Sequence, residues 1–309
     1  TTDTQITDTP TTTTPPVATS PAPGTIQIFD PKSTQGQNLM QVTPDSQTGA
    51  LTISYPFTLQ AGRNNLTPDL SLNYNSQNED NFNPAGYGWA LSIPSIERIA
   101  RKGVDKLYSE NYFNSSLSGE LKPVSLSDGS HGTYGAESDF GNFLNYEITA
   151  DNQWTVKDKN GNIYYFGQTS LSRLDNPSDT SKISKWMLSK IEDANGNGIK
   201  YEYTKDSAQV YPSSIKYSTS GANDGIYEVA FTFSDRPDKM KSYGTGFLVT
   251  TNSRLSQIET RTNGNWTRRY DLAYSAGNNK YRSILSSVTE TARDESGNTL
   301  TLPVTTFEY

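Results

Sequence analysis

Residues 49–60 read GALTISYPFTLQ, a stretch in which every second residue is bulky and apolar. The alternating apolar residues are Leu51, Ile53, Tyr55, Phe57 and Leu59. Successive side chains of a β-strand point to opposite faces of a sheet, so this two-residue period predicts a strand with one buried face. Pro56 has no N–H for a ladder hydrogen bond, which predicts that this strand lies at a sheet edge or at a bulge.

The same alternation recurs along the chain and predicts an all-β fold of antiparallel hairpins and meanders. A turn at 61–65 (AGRNN) is followed by alternating Leu70, Leu72 and Tyr74, and the period returns in IYEVAFTFS (226–234) and WTRRYDLAY (266–274). Only residues 95–108 also have the apolar spacing of a helix, and Gly103 in their middle disfavours it. We therefore expect a large sheet with little helix.

The composition indicates which side chains build the core. Hydrophobic residues (32%) and charged residues (19%) are both scarce, but 19 Tyr, 11 Phe and 4 Trp are too many aromatic residues for a disordered chain. We expect aromatic and β-branched side chains on one face of each strand, with Thr, Ser and Asn on the other.

The charge and the absence of cysteine exclude several classes of protein. A net charge of −7 argues against binding to nucleic acid or to anionic lipid, because both require a basic surface. No apolar run approaches the roughly 20 residues that span a bilayer. Without Cys the chain has neither disulfides nor thiolate chemistry.

The first 24 residues differ in composition from the rest. They are mostly Thr and Pro, with Ile6 and Val17 as their bulky apolar residues, so they cannot bury a core. The sequence predicts a disordered linker at 1–24, interpreted as a plain spacer with glycosylation of its hydroxyl groups as the alternative. Residues 25–309 are predicted to form one all-β domain.

A short D-x-[NS]-G-N pattern occurs at 158–162, 193–197 and 294–298, each time between two β-prone runs. The Asn-Gly or Ser-Gly pair suits a tight hairpin turn, and the preceding Asp can cap that turn. A calcium loop is the weaker alternative, with Asp193, Asn195 and Asn197 as candidate ligands. Position twelve of such a loop should be Glu and is Thr204, so the turn is the preferred interpretation.

The residues offer little for catalysis. The single histidine, His131, lies in the loop-like sequence SDGSHGTYG, and no G-x-S-x-G motif is present. The sequence Ser218-Thr219-Ser220 matches one part of an ADP-ribosyltransferase site, but no Glu-x-Glu pair exists, so these residues are interpreted as a turn. We predict no catalytic residue, no cofactor and no metal.

Two alternatives stay open. Adjacent carboxylates suited to glycoside hydrolysis occur in polar stretches, at Glu79 and Asp80, at Glu192 and Asp193, and at Asp294 and Glu295. Sugar-stacking platforms are another option, and the candidates are Trp89, Trp154, Trp186 and Trp266. Most of these tryptophans lie in alternating runs, where burial in the core explains them better.

Several motifs in a fixed order resemble one family. They are the run at 49–74, GYGWALSIPSI at 86–96, WTVKDKNGNIYYFG at 154–167, the run from Lys185 to Tyr203, FTFSDRPDKMKSY at 231–243, and PVTTFEY at 303–309. Together they resemble the N-terminal region shared by the Salmonella virulence plasmid B protein and the B components of insecticidal toxin complexes. The resemblance covers about residues 35–309.

This resemblance implies a role and a set of partners. In the family, this region contributes β-strands to the wall of a shell related to Rhs and YD-repeat proteins, and the shell carries a C-terminal toxin. The family attaches its transferase or other toxin outside this region, so no catalytic residue carries over. The expected partners are downstream shell, propeller or toxin segments, or a partner toxin subunit. The expected location is bacterial and secreted, and a glycan- or receptor-binding surface domain is the alternative.

Overall fold

The computed structural model describes residues 26–27, 41–44, 49–78, 83–221, 223–277 and 281–309. The predicted linker at 1–24 and the pair Glu79 and Asp80 lie outside these ranges. The described chain is almost entirely antiparallel β-structure, which confirms the predicted fold class. No helix in the described ranges is long and apolar enough to cross a membrane.

The first strands form a five-stranded sheet in sequential order. They are β1 (Ile26–Gln27), β2 (Gln41–Pro44), β3 (Leu51–Pro56), β4 (Ser71–Asn75) and β5 (Trp89–Leu91). The predicted hairpin is confirmed, since β3 pairs with β4 and Tyr55 lies opposite Leu72. The predicted edge position of β3 is wrong, because β3 lies between β2 and β4. Pro56 is tolerated there because it is the last residue of the strand.

A closed barrel follows the five-stranded sheet. Its region contains β6 (Ser95–Arg98), β7 (Phe113–Ser115), β8 (Gly119–Leu126), β9 (Gly132–Ala136), β10 (Asn145–Ile148), β11 (Trp154–Lys157), β12 (Ile163–Phe166), β13 (Arg173–Asn176) and β14 (Asp179–Glu192). Each strand from β6 to β12 pairs with the next, β12 pairs with β14, and β14 pairs back with β6. The sequence analysis did not predict this closure.

A long antiparallel sheet extends from the barrel. Its strands are β15 (Asn197–Asp206), β16 (Gln209–Ser220), β17 (Tyr227–Ser242), β18 (Val249–Thr262), β19 (Asn265–Ala276), β20 (Ser283–Arg293), β21 (Thr299–Thr301) and β22 (Thr305–Thr306). Strands β15 to β20 pair in sequence, and β21 and β22 both pair with β20.

Strand β14 joins the barrel to the long sheet because it is 14 residues long. Around Trp186 it pairs with β13 on one side and with β6 on the other. Around Ile191 it pairs with β12 and β15 instead. One continuous strand therefore belongs to both sheets, which fixes the direction in which the long sheet leaves the barrel.

Aromatic side chains fill the barrel region of the core. The ring of Trp154 lies 5.0 Å from that of Phe113, 5.3 Å from that of Tyr134 and 6.1 Å from that of Trp186, measured between centroids. All four of these side chains are buried. The Arg98 guanidinium lies 4.9 Å from the Phe113 centroid and donates from Nε to the Ile183 carbonyl at 3.1 Å. The predicted aromatic core is confirmed.

The stretch with helical spacing forms no α-helix. Residues Ser95–Arg98 are strand β6, and Val104–Lys106 form a single 3₁₀ turn. Ile96 pairs with Trp186 of β14, so sheet pairing overrides the apolar spacing. Gly103 has a positive φ of 102°, which ends any continuation into a helix.

The five-stranded sheet packs against the long sheet through tyrosine and phenylalanine side chains. The rings of Phe57 and Tyr270 are 4.9 Å apart, and those of Tyr55 and Tyr270 are 6.4 Å apart. The backbone N–H of Thr58 donates to the Tyr270 hydroxyl at 3.0 Å. Because Tyr270 belongs to β19, strand β3 crosses the long sheet.

A buried ion pair fixes the two sheets in this arrangement. The pairing of β17 with β18 is interrupted between Asp235 and Met240, and Arg236 and Asp238 turn inward there, with exposures of 1% and 5%. Arg236 donates to Asp238 from Nε at 3.0 Å and from Nη2 at 3.2 Å, a bidentate geometry. The same carboxylate accepts hydrogen bonds from the backbone N–H and the hydroxyl of Ser283 on β20.

Arg236 also holds the loop that enters the five-stranded sheet. Its Nη1 donates to the Asn83 carbonyl at 2.9 Å. Along the same loop, the N–H of Tyr87 donates to the Ser283 carbonyl at 3.0 Å, and the Pro84 carbonyl accepts from the N–H of Leu255 at 2.8 Å. This loop leads directly into Trp89 of β5, so the pair positions that tryptophan.

We predict that Arg236→Met destabilises the protein by about 3–5 kcal/mol, because the Asp238 carboxylate would stay buried without its cation. Burial raises the pKa of Asp238, but hydrogen bonds from Arg236 and Ser283 outweigh burial and the pKa lies below its ordinary value. Urea unfolding measures the free energy change. Arg101→Met is the matched control, because Arg101 is 45% exposed in its pair with Glu120 and should matter by less than about 1 kcal/mol. Equal effects of the two variants would contradict the assignment.

Candidate functional site

His131 lies in the loop between β8 and β9, as the sequence predicts, but its side chain is only 19% exposed. Its Nδ1 is 2.6 Å from Oδ2 of Asp128 and 3.3 Å from the Ser130 hydroxyl, and its Nε2 is 3.3 Å from Oδ1 of Asn152. A catalytic triad needs Ser and Asp on opposite ring nitrogens, whereas both lie at Nδ1 here. Hydrogen bonds from the backbone N–H and side chain of His131 lower the pKa of Asp128. The arrangement ties two loops together.

The described carboxylate pairs face the partners of their own turns. Glu192 forms an ion pair with Lys190, and Asp193 and Asp294 accept hydrogen bonds from the Asn four residues later. Nowhere in the described ranges do three or more His, Cys, Asp or Glu side chains form a group that could hold a metal. Ser218-Thr219-Ser220 were predicted to be turn residues, and this is wrong. They end strand β16, where Ser218 has a positive φ of 60° and interrupts the pairing with β15.

The three D-x-[NS]-G-N segments form the same hydrogen-bonded turn, which confirms the predicted hairpin plan. In each, Asp Oδ1 accepts from the backbone N–H of the final Asn, at 2.9 Å for Asp158, 2.8 Å for Asp193 and 2.8 Å for Asp294. Oδ2 accepts from the side-chain amide of the same Asn, at 2.7, 2.8 and 2.9 Å respectively. The intervening Gly residues have φ values of 84°, 78° and 87°, which favours glycine.

The turn at Asp193 has one further function within the fold. Oδ2 of Asp193 also accepts from the Asn64 side-chain amide at 2.9 Å, so the carboxylate connects the β14–β15 hairpin to the loop between β3 and β4. The N–H of Asn195 donates to Oδ1 at 2.9 Å. Hydrogen bonds from Asn197 and Asn64 lower the pKa of Asp193 to about 2. The cation hypothesis for Asp193, Asn195 and Asn197 stays a prediction, and a calcium titration followed by melting temperature tests it.

The tryptophans differ in how much surface they leave for a ligand. Trp89, Trp154 and Trp186 are fully buried, so they are core residues. Trp266 on β19 is half-buried, with the Arg269 and Arg293 guanidinium groups at 4.5 and 5.3 Å from its ring. Of the four tryptophans, Trp266 is the one left for the glycan hypothesis.

One face of the long sheet carries a row of charged side chains. Lys200, Lys216, Glu228 and Arg261 lie opposite one another on four neighbouring strands. Lys216 pairs with Asp224 at 2.9 Å, and Arg261 pairs with Glu228 at 3.2 Å. The adjacent row on the other face contains the buried Tyr201, Ile215 and Val229. The sheet therefore has the predicted polar face and apolar face.

An apolar groove of about 390 Å³ lies where the five-stranded sheet meets the C-terminal segment. Val42, Ile53, Tyr74 and Trp89 form a row across β2 to β5, and all four line the groove. The Trp89 ring packs against Phe307 at 4.7 Å, and Trp89 Nε1 donates to the Tyr309 hydroxyl at 2.7 Å. The G-x-G-W and F-E-Y motifs, which lie far apart in the sequence, are therefore in direct contact.

These elements can be compared with known proteins. The family model described as Salmonella virulence plasmid 65kDa B protein matches residues 45–150 and 140–230, which is more than half of the chain. The chain belongs to this family. A comparison with curated proteins found no match.

Solved structures show the same fold. The Photorhabdus luminescens Tc holotoxin pore matches with a TM-score of 0.73 and 22% identity, over 87% of this chain and 16% of that chain. The crystal structure of TcdB2-TccC3 matches with a TM-score of 0.72 and 20% identity, over 93% of this chain and 17% of that chain. The N-terminal domain of effector protein SpvB from Salmonella typhimurium strain LT2 matches with a TM-score of 0.59 and 19% identity, over 83% and 98% of the two chains.

The extent of these matches differs in a useful way. This chain spans about a sixth of the length of the toxin-complex chains, whereas it spans nearly all of the SpvB N-terminal domain. The resemblance stated from the sequence motifs is thereby confirmed. The SpvB-family chain corresponds in fold to one segment of the larger toxin-complex chains.

We predict that Asp193→Ala lowers the free energy of unfolding by about 1–3 kcal/mol, because four donors in the SpvB-family core lose their shared acceptor. Since the folded-state pKa of about 2 lies below the ordinary value, the stabilisation is present above about pH 4 and is lost as pH falls towards 2. Urea unfolding from pH 7 to pH 2 measures both effects. Asp294→Ala is the control, because the same turn is exposed there and should matter less. An unchanged pH profile in Asp193→Ala would refute this role.

Proposed function

We propose that the chain is a non-catalytic structural module of a secreted toxin-like protein, and that it contributes to a β-shell that carries or presents a C-terminal toxin. The observation that carries this proposal is the fold likeness to toxin-complex chains over 87% and 93% of this chain. Those structures are described as a Tc holotoxin pore and as TcdB2-TccC3, so the likeness is to parts of toxin assemblies. Family membership supports the same role.

The shape of the chain suits a wall. The long sheet has one face covered by the five-stranded sheet and one face with ion pairs that tolerate water. Aromatic rings occupy the barrel core, so this part of the fold is packed. Such a body is stiff and keeps its interior closed, as a structural segment requires.

The polar groups of the described residues support the non-catalytic part of the proposal. Asp193 and Asp294 are used by turn amides, and His131 has both Asp128 and Ser130 at one ring nitrogen. General acid–base chemistry needs a group aimed at open space, and these groups are aimed at their own loops. The partners we propose are downstream shell, propeller or toxin segments, or a separate toxin subunit.

A glycan- or receptor-binding surface domain is the second candidate, and Trp266 is the observation that favours it. Its ring is half-buried on β19 and has cationic neighbours in Arg269 and Arg293. A glycan array with competable hits that disappear in Trp266→Ala would favour this candidate over the structural module.

We predict that the purified chain releases no nicotinamide from NAD and transfers no ADP-ribose, because it lacks an aimed acid–base pair. The measurement is a nicotinamide-release assay with an active ADP-ribosyltransferase as positive control. Turnover that disappears on substitution of one Asp or Glu would overturn the proposal.

The carrier role has its own test in the native product. Limited proteolysis should leave any polypeptide continuous with residues 49–309 protected as one body. Rapid cleavage of that following polypeptide, with residues 49–309 left intact, would contradict the carrier role without affecting the non-catalytic assignment.

A further inference from the structure

Strand β3 extends past the last strand of the long sheet. Phe57 of β3 contacts Tyr270 of β19, and Tyr55 is hydrogen-bonded to Thr305 of β22. Further back along the same face, Ile53 and Leu51 line the groove beside residues 306–309. The start of β3, together with Val42 of β2, therefore covers the space next to β22.

The backbone of residues 305–309 offers a free strand edge to that space. Thr305 and Thr306 pair with Val288 and Ser287 of β20, and the N–H of Phe307 donates to the Ser286 carbonyl at 2.9 Å. In an antiparallel ladder, alternate residues direct their N–H and C=O groups to opposite sides. Thr306 and Glu308 therefore direct theirs away from β20, on the side where the groove lies.

From this geometry we infer that the outer edge of residues 305–309 and the groove beside it form an acceptor site for one extended strand of another polypeptide. Neighbouring strands lie about 4.8 Å apart, so a strand added to this edge would have one face under Ile53 and Val42. The edge would supply backbone hydrogen bonds, and the groove would hold an apolar side chain of the added strand.

The charge of the site specifies the chemistry of this strand further. Glu308 is exposed, no ion pair of its carboxylate occurs among the described residues, and the chain carries a net charge of −7. A strand with lysine or arginine opposite Glu308 and an apolar residue at the position facing Ile53 matches the site. Acidic strands are disfavoured by like-charge repulsion.

A second copy of this chain fits the site poorly. A two-fold pairing of the 305–309 edges would place the β3 extension of each copy over a strand that its own Tyr74 and Trp89 already cover. The two extensions would compete for the same space. The occupant is therefore a strand without a covering sheet of its own.

The test uses the full chain and a short fluorescein-labelled peptide in which valine alternates with lysine and threonine. Fluorescence anisotropy should show saturable binding, and Thr306→Pro should weaken it by at least about tenfold, because it removes an outward N–H and no ladder bond. Ile53→Lys should weaken binding similarly by filling the groove with a like charge. The matched controls are Thr301→Pro on β21 and Val124→Lys on the barrel, and both should bind as the unaltered chain does.

A second peptide, N-methylated at alternate amides, checks the mode of binding without any change in the protein. It keeps the side chains and loses edge donors, so it should bind at least about tenfold more weakly. Equal binding of the two peptides, or equal binding by the Thr306→Pro and Thr301→Pro variants, would overturn the strand-acceptor site. Self-association in sedimentation that disappears in Ile53→Lys would show that a second copy is the occupant and would overturn the assigned partner.

Discussion

The bidentate pair between Arg236 and Asp238 is the interaction on which the arrangement of the two sheets depends. It lies inside a wide interruption of the β17–β18 pairing, where both side chains are removed from water. A buried ion pair is stable only when its remaining hydrogen-bonding positions are filled, and here Ser283 and the Asn83 carbonyl fill them. Because these partners come from β20 and from the loop before β5, the pair fixes the five-stranded sheet over the long sheet.

The contacts that follow from this placement are mostly aromatic. Once the loop before Trp89 is held, its ring can pack on Phe307 and its N–H can reach the Tyr309 hydroxyl. Tyr309 in turn donates to the Leu285 carbonyl at 2.7 Å, which ties the C-terminal residue to β20. On the other side of the molecule, β14 carries the connection into the barrel. The SpvB-family fold is therefore continuous from its C-terminal residue to Trp154 in the core.

The sequence predicts the local features of this fold well, because they depend on near neighbours. The alternation in 49–60 and the D-x-[NS]-G-N turns each specify a strand or a hairpin within a few residues. The closure of the barrel depends on the pairing of Ile96 with Trp186, and a separation of 90 residues leaves no local pattern. The same reason explains the error at 95–108, where apolar spacing suited a helix and distant pairing decided otherwise. It also explains Pro56, whose position in the order of strands is set by β2.

The candidate sites were predictable only as absences of chemistry. The lack of Cys, the single His131 and the missing Glu-x-Glu pair already disfavoured catalysis. The motif residues Arg236 and Asp238 were part of the family resemblance, but nothing in SDRPDK indicates that two charges are buried. The groove between β3 and the C-terminal segment also had no signal in the sequence, because its walls are contributed by Ile53 and Phe307 from opposite ends of the chain.

A rigid structural module requires that the five-stranded sheet and the long sheet open together. Amide hydrogen exchange measured by mass spectrometry tests this most directly, by comparing β3 and β4 with β19 and β20. The amides of Leu51–Pro56 and Ser71–Asn75 should exchange with the same opening free energy as those of Asn265–Ala276 and Ser283–Arg293. Exchange of the five-stranded sheet at a much lower free energy would show that it opens independently, and would contradict a fold held as one unit by Arg236 and Asp238.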